Sequence, residues 1–269
     1  MTSSYVILVF IYVLIEQFSL LSSLLNRSGQ TTSYIYNSNI TINFTDDNSS
    51  DNSSTELSGN HKSYKSLNAN DTLFLFIDHQ TGLFNGVRTQ TPSDFINNVI
   101  ALAKTAKLFD IPTILTSSSE TGPNGPILPE LLKTLSNSKI IRRPGEINSW
   151  DNDEFRNTVK SYDRKKLVMA GISTDVCLTF AALSAIKEGY EVYAVIDASG
   201  TWSKLIEDTA IIRMAMANAH IMSWFAVSAE LQKDWRRPTG VGLANLYSNY
   251  LPFYGNLIAS RNATNSTGS

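Results

Sequence analysis

The stretch Val168-Met-Ala-Gly-Ile-Ser-Thr-Asp-Val-Cys177 decides how this chain is read. Residues 167–170 form an apolar strand, 171–175 a turn of small and polar residues, and 176–188 an amphipathic helix whose first turn holds the only cysteine of the sequence. Backbone N–H groups at a helix start lack intrahelical partners and favour an anion placed against them. A thiolate is such an anion, so Cys177 is expected to have a lowered pKa and to serve as a nucleophile. The plain alternative is that a lone cysteine is a small buried hydrophobe.

Working outward, the same strand-then-helix unit recurs. Residues 72–77 (Thr-Leu-Phe-Leu-Phe-Ile) are a continuous apolar run ended by Asp78, as a strand buried on both faces of a parallel sheet should be. Helical spacing follows over 92–109, with Thr91 and Asp94 placed to cap it. Further strands are expected at 112–116, 139–142, 191–196 and 221–224, with the opening strand spanning 166–170, and further helices at 128–135, 153–161, 205–219 and 227–235. Repetition of this unit predicts a three-layer α/β sandwich, a mostly parallel, doubly wound sheet of about six strands with helices on both faces. Ligands of such sheets bind outside the carboxyl ends of the strands. The residues that fall there include Asp78, Arg143 and Cys177, an acid, a cation and a thiol on one edge.

Those three groups suit covalent catalysis. Asp78 can accept the thiol proton and return it to a leaving group or activate water. A guanidinium does not deprotonate in proteins, so Arg143 is a fixed charge that steadies its neighbours, with the adjacent Arg142 as the natural confusion. Backbone N–H groups at 173–177 can form an oxyanion hole. Alternatively, Asp78 caps a turn and Arg143 is a surface cation.

Composition bounds the rest. With 22 Lys and Arg against 24 Asp and Glu, no basic excess supports a nucleic-acid partner. One cysteine excludes an intramolecular disulfide, and His61, His79 and His220 are too scattered to suggest a metal site. No cofactor or metal is expected.

The ends differ from the middle. Residues 5–15 are an apolar run of signal-peptide length, so 1–25 reads as a signal peptide or uncleaved signal anchor, with membrane attachment through it. Residues 26–70, rich in Asn, Ser and Thr, read as a disordered linker, 71–258 as the folded domain and 259–269 as a disordered tail. The Asn-X-Ser/Thr sites at Asn26, Asn39, Asn43, Asn48, Asn52, Asn70, Asn262 and Asn265 add to an expectation of glycosylation and of a secreted or membrane-anchored protein rather than a cytoplasmic one.

Ile77-Asp-His-Gln-Thr-Gly-Leu83, Glu120-Thr-Gly-Pro-Asn-Gly-Pro126, Arg143-Pro-Gly-Glu-Ile-Asn-Ser-Trp-Asp-Asn152, Ala170-Gly-Ile-Ser-Thr-Asp-Val-Cys177 and Asp197-Ala-Ser-Gly-Thr201 together resemble the isochorismatase-like cysteine hydrolases, most closely their YcaC-like branch. The resemblance implies a triad of Asp78, Arg143 and Cys177, with Arg in the place where most of the superfamily has Lys. It implies a non-proline cis peptide at Ile172-Ser173, aiming an N–H at the oxyanion, and roles at the pocket or at subunit contacts for Glu120, Asn148, Trp150 and Thr201. The metal-binding Asp-X-His-X-His cluster of related nicotinamidases is missing here. A homo-oligomer, tetramer or octamer, is also implied, with the aromatic segment 243–254 as one contact surface or as packing within its own domain. The expected activity is a cysteine-nucleophile hydrolase acting on an amide- or imide-type C–N bond of a small molecule. The alternatives are a catalytically idle scaffold or binding member of the fold, or an isochorismate-like vinyl ether hydrolase.

Overall fold

A computed structural model describes residues 66–267, together with two short segments nearer the N-terminus. Those segments, β1 (Ile35–Tyr36) and β2 (Ile40–Thr41), pair antiparallel within a separate unit that ends at Tyr64. The apolar run at 5–15 and the glycosylation sites at Asn26, Asn39, Asn43, Asn48 and Asn52 lie outside the described residues, as does the rest of the expected linker up to residue 65.

The second unit begins at Lys65, earlier than the expected boundary at 71. Leu67 is fully buried in the core, and the ammonium of Lys166 donates to the carbonyl of Ser66 at 2.8 Å. A single apolar residue amid polar neighbours carries no periodicity, which is why composition alone assigns it to a linker.

From there the chain runs β3 (Thr72–Ile77), α1 (Thr81–Phe84), α2 (Pro92–Leu108), β4 (Thr113–Ser118), α3 (Pro129–Thr134), β5 (Lys139–Arg143), α4 (Asp153–Ser161) and β6 (Lys166–Gly171). It continues through a wide helical turn at Thr174–Leu178 into α5 (Thr179–Lys187), then β7 (Glu191–Val195), α6 (Lys204–Met216), β8 (His220–Met222), α7 (Trp224–Gln232), α8 (Gly240–Tyr250) and α9 (Pro252–Thr267). The six strands β5-β4-β3-β6-β7-β8 pair in that order, all parallel. The chain winds outward from β3 to β5, returns to the other side of β3, and winds outward again. The switch point therefore lies between β3 and β6, where Ile77 is level with Gly171.

Strand alternation divides the core in two. Phe74 and Phe76 of β3 pack with α2, α7 and α8 through Val99, Val227 and Leu243. Leu73, Leu75 and Ile77 face the opposite layer, where Phe155 of α4 and Ala181 and Ala185 of α5 complete the packing.

The C-terminal helices differ from expectation in their extent, and they decide between the two readings of the aromatic segment. Residues 259–267, read as a disordered tail, continue α9, so an Asn/Ser/Thr-rich composition did not preclude a helix. The aromatic segment packs mainly on its own domain: Leu243, Leu246 and Tyr247 are buried, and the ring of Tyr247 meets those of Trp224, Phe225, Trp235 and Tyr254. Phe253 and Leu257 remain exposed.

Candidate active site

Asp78, Arg143 and Cys177 are brought together at the carboxyl edge of the sheet. Asp78 comes directly after the last residue of β3 in the left-handed region at φ 56°, a conformation Asp tolerates better than most residues. Its N–H donates to the Thr116 carbonyl of β4 at 2.9 Å, and its own carbonyl accepts from Gln80 N–H at 2.8 Å. Gln80 in turn bonds the backbone of Ser118 in both directions, so the chain leaving β3 is tied to β4.

Arg143 is 2% exposed and each nitrogen of its guanidinium has an acceptor. One terminal nitrogen pairs with Oδ1 of Asp78, the other donates to the Glu146 carbonyl, and Nε donates to Oγ1 of Thr116 at 3.0 Å. The Thr116 hydroxyl donates its own proton to the Ile141 carbonyl at 2.9 Å. Arg142, the preceding residue on β5, has its guanidinium on the exposed side and pairs with Glu120 at 3.1 Å, so the two arginines are not interchangeable.

Cys177 sits in the wide turn Thr174–Leu178 rather than in the first turn of α5. The Leu178 N–H reaches back to the Ser173 carbonyl at 3.1 Å, an i to i−5 bond of the kind that recurs at functional sites. The Ile172-Ser173 peptide before the turn is cis. Gly171 lets β6 run flush against β3, since a Cβ there would stand 2.9 Å from the Ile77 carbonyl oxygen.

The half-buried Cys177 thiol lies beside Asp78, close enough for the carboxylate to act on it. The expected lowering of its pKa is reversed: burial first, and then the charge and hydrogen bond of Asp78, push the thiol well above its ordinary range. A backbone hydrogen bond from Ser173 and the charge of Arg143 act in the opposite direction without prevailing, because Arg143 is already engaged by Asp78. Burial likewise raises Asp78, against the pull of Arg143. The arrangement thus holds a neutral thiol against a carboxylate ready to take its proton.

The other expected residues each have structural partners of their own. Glu120 accepts from Ser117 Oγ at 2.7 Å and holds Arg142 at the rim. Asn148 caps the turn Ser149–Asp151 through Trp150 N–H and donates to Ser184 Oγ of α5 at 3.0 Å, pinning the loop after β5. Trp150 lies in the lower core against Phe155 and Tyr190, away from open space. Thr201 is fully buried and donates to Asp175 Oδ1 at 2.6 Å, fastening the turn that carries Cys177 to the loop after β7. Sequence reasoning passed over Thr116 and Asp175. Thr116 closes an apolar strand, where a hydroxyl attracts no notice, and the partner of Asp175 is set only by folding.

The family model for the isochorismatase domain matches residues 72–225, more than half of the chain. The chain belongs to the isochorismatase family. Its relatives within that family include YcaC proteins: the probable hydrolase YcaC of Escherichia coli is 49% identical over 199 residues, covering 74% of this chain and 95% of that protein. The solved YcaC of Pseudomonas aeruginosa, with hexane-2,5-diol and covalent acrylamide, superimposes with a TM-score of 0.72 at 48% identity, covering 74% of this chain and 98% of the other. The crystal structure of the E. coli protein, an octameric hydrolase of unknown specificity, gives a TM-score of 0.73 at 48% identity over 76% and 99% of the two chains. This isochorismatase-family chain is accordingly a YcaC-like hydrolase.

The same matches overturn the expected secretory or membrane-anchored localisation. The unmatched 5% of the E. coli relative is too short for a segment like residues 1–25, and among the described residues no helix is long and apolar enough to cross a membrane. Membrane attachment through residues 1–25 and glycosylation gain no support from these matches.

Proposed function

We propose that Cys177 is the nucleophile of a hydrolase that opens an amide- or imide-type C–N bond of a small molecule through a covalent acyl intermediate. The observation that carries this reading is the placement of the Cys177 thiol beside Asp78, whose carboxylate is itself ion-paired with the fully engaged Arg143. As the sulfur attacks the carbonyl carbon, its proton passes to Asp78, and the developing oxyanion is met by backbone N–H groups in the stretch from Ser173 to Cys177. Asp78 then protonates the departing nitrogen as the C–N bond breaks, leaving a thioester. Water, deprotonated by Asp78, attacks the thioester, and the acid product leaves as the thiol regains its proton. Arg143 moves no proton and keeps the carboxylate aimed.

The acrylamide found covalently bound in the P. aeruginosa relative supports a reactive nucleophile in this branch, since acrylamide is an electrophile that thiolates take up. In this reading Thr201 and Asn148 act by holding the nucleophile turn and the loop after β5, and Glu120 stands at the mouth. Trp150 supports that loop from below. The chain assembles as a homo-octamer like its E. coli relative, with exposed Phe253 and Leu257 available for subunit contacts. Incubation with a panel of small amides and imides, followed by intact-mass detection of an acyl adduct and assay of product, tests the chemistry, with Cys177→Ala as the blank. An adduct and turnover that both vanish in Cys177→Ala are expected; turnover that survives the substitution refutes the nucleophile.

A further inference from the structure

A cavity of about 540 Å³ opens at the opposite end of the sheet from Cys177, among the connections that lead into β4, β5 and β6. β6 has 6 residues, so at about 3.3 Å per residue roughly 20 Å separates this cavity from the catalytic edge. Its volume lies in the range of small-molecule sites. Three cations line it: Lys107 at the end of α2, Lys139 at the start of β5 and Arg164 before β6. Asp110 is the only carboxylate among the lining residues.

How those groups are already used decides what the cavity can take. Lys139 shares its charge with Glu154 at 3.4 Å, and Arg164 spends one N–H on the Ala69 carbonyl at 3.2 Å. Lys107 has no ion pair or hydrogen-bonding partner for its ammonium among the described residues. The side chains of Ser136, Asn137 and Ser138, in the loop that enters β5, likewise bond to no other described residue. Leu135 and Tyr162 are among the apolar residues of the lining. The unpaired Lys107 ammonium, the remaining N–H groups of Arg164, the hydroxyls and an amide exceed what the two oxygens of a carboxylate can occupy, and match a group with three outward oxygens and a charge near −2.

We propose that this cavity is a second binding site, separate from the catalytic one, for a small molecule that carries a phosphate group. The polar groups hold the phosphate, and Leu135 and Tyr162 take an apolar substituent when there is one. The site is independent of the chemistry assigned to Cys177.

Calorimetric titration of the full-length protein in its native assembly, at constant ionic strength, tests this with inorganic phosphate, phenyl phosphate and benzoate. Saturable binding of one or both phosphates and none of benzoate is expected, with affinity reduced about tenfold or more by Lys107→Glu and by Arg164→Gln and unchanged by Cys177→Ser. Tighter binding of phenyl phosphate identifies a phosphate ester as the ligand type; equal or exclusive binding of inorganic phosphate identifies the free ion. Absence of saturable phosphate binding, equal binding of benzoate, or undiminished binding by Lys107→Glu overturns the proposal. Because Lys107 holds no other described residue in place, its substitution separates loss of the site from loss of the fold.

Discussion

Replacing Asp78 by Asn separates two effects that a catalytic carboxylate has on its nucleophile. In the native chain the charge of Asp78 and its hydrogen bond both raise the Cys177 thiol, while Arg143, spent on Asp78, offsets them only in part. Asp78→Asn removes the negative charge and leaves Arg143 the dominant charge beside the sulfur, so the thiol pKa falls. Turnover moves the other way, because Asn can neither take the thiol proton nor activate water, and loss of a general base costs about 10²–10⁴-fold. Stability also falls: breaking a buried ion pair costs roughly 3–5 kcal/mol, and Asn, which keeps an acceptor for Arg143, belongs near the lower end. Since Cys177 is the only thiol in the chain, its alkylation by iodoacetamide as a function of pH reports its apparent pKa without interference, and urea unfolding reports stability. The native protein is expected to alkylate slowly at neutral pH, with an apparent pKa above the ordinary value of about 8.5. A substituted protein with less turnover and a more acidic thiol supports the reasoning; a thiol pKa unchanged or raised by Asp78→Asn refutes it.

Thr116→Val deprives the buried Nε of Arg143 of its acceptor at 3.0 Å, which should destabilise the fold by about 1.5–3 kcal/mol. It should also shift the pH–rate profile through the misplaced guanidinium, and Thr116→Ser should restore both; a profile unmoved by Val would assign Thr116 to packing alone. His79 is buried and neutral, its pKa pushed down to about 4 chiefly by desolvation, with Nε2 on the Ala198 carbonyl at 2.9 Å. The folded chain therefore binds fewer protons than the unfolded one between about pH 6.5 and 4, so stability present above 6.5 is lost as pH falls through that window, by an amount on the order of 3 kcal/mol. Urea titrations across that range should show the loss flattened in His79→Gln, which keeps a donor and does not titrate; an unchanged acid slope would mean other groups dominate.

The architecture was legible because a sheet buried on both faces demands continuous apolar strands, and β3 and β6 each end abruptly in polar chemistry at the edge where ligands bind. Asp78, Arg143 and Cys177 stand out once the residues at the carboxyl end of each strand are compared. The features that escaped notice depended on pairings across the fold. A cysteine near a helix start and an arginine suggest a lowered pKa, yet whether the arginine is free or consumed is decided by the 65 positions of chain that separate it from Asp78. Trp150 and Thr201 share motifs with site residues, but one faces the core and the other clamps a backbone turn, distinctions that motif spacing does not encode. Leu67 and α9 were hidden by polar neighbours, whose composition describes average solubility and not the environment of each side chain.

Arg143 ends β5, and among the described strands β5 is paired on one side only, with β4. The group that aims the base thus hangs on the outermost strand of the sheet, while Asp78 and Cys177 come after strands flanked on both sides. Edge strands open at lower free energy than central ones. Detachment of β5 would dismantle the triad while the central strands stayed paired, so this hydrolase has an inactivation route cheaper than unfolding, and any partner that covers the β5 edge would guard activity more than it guards the fold.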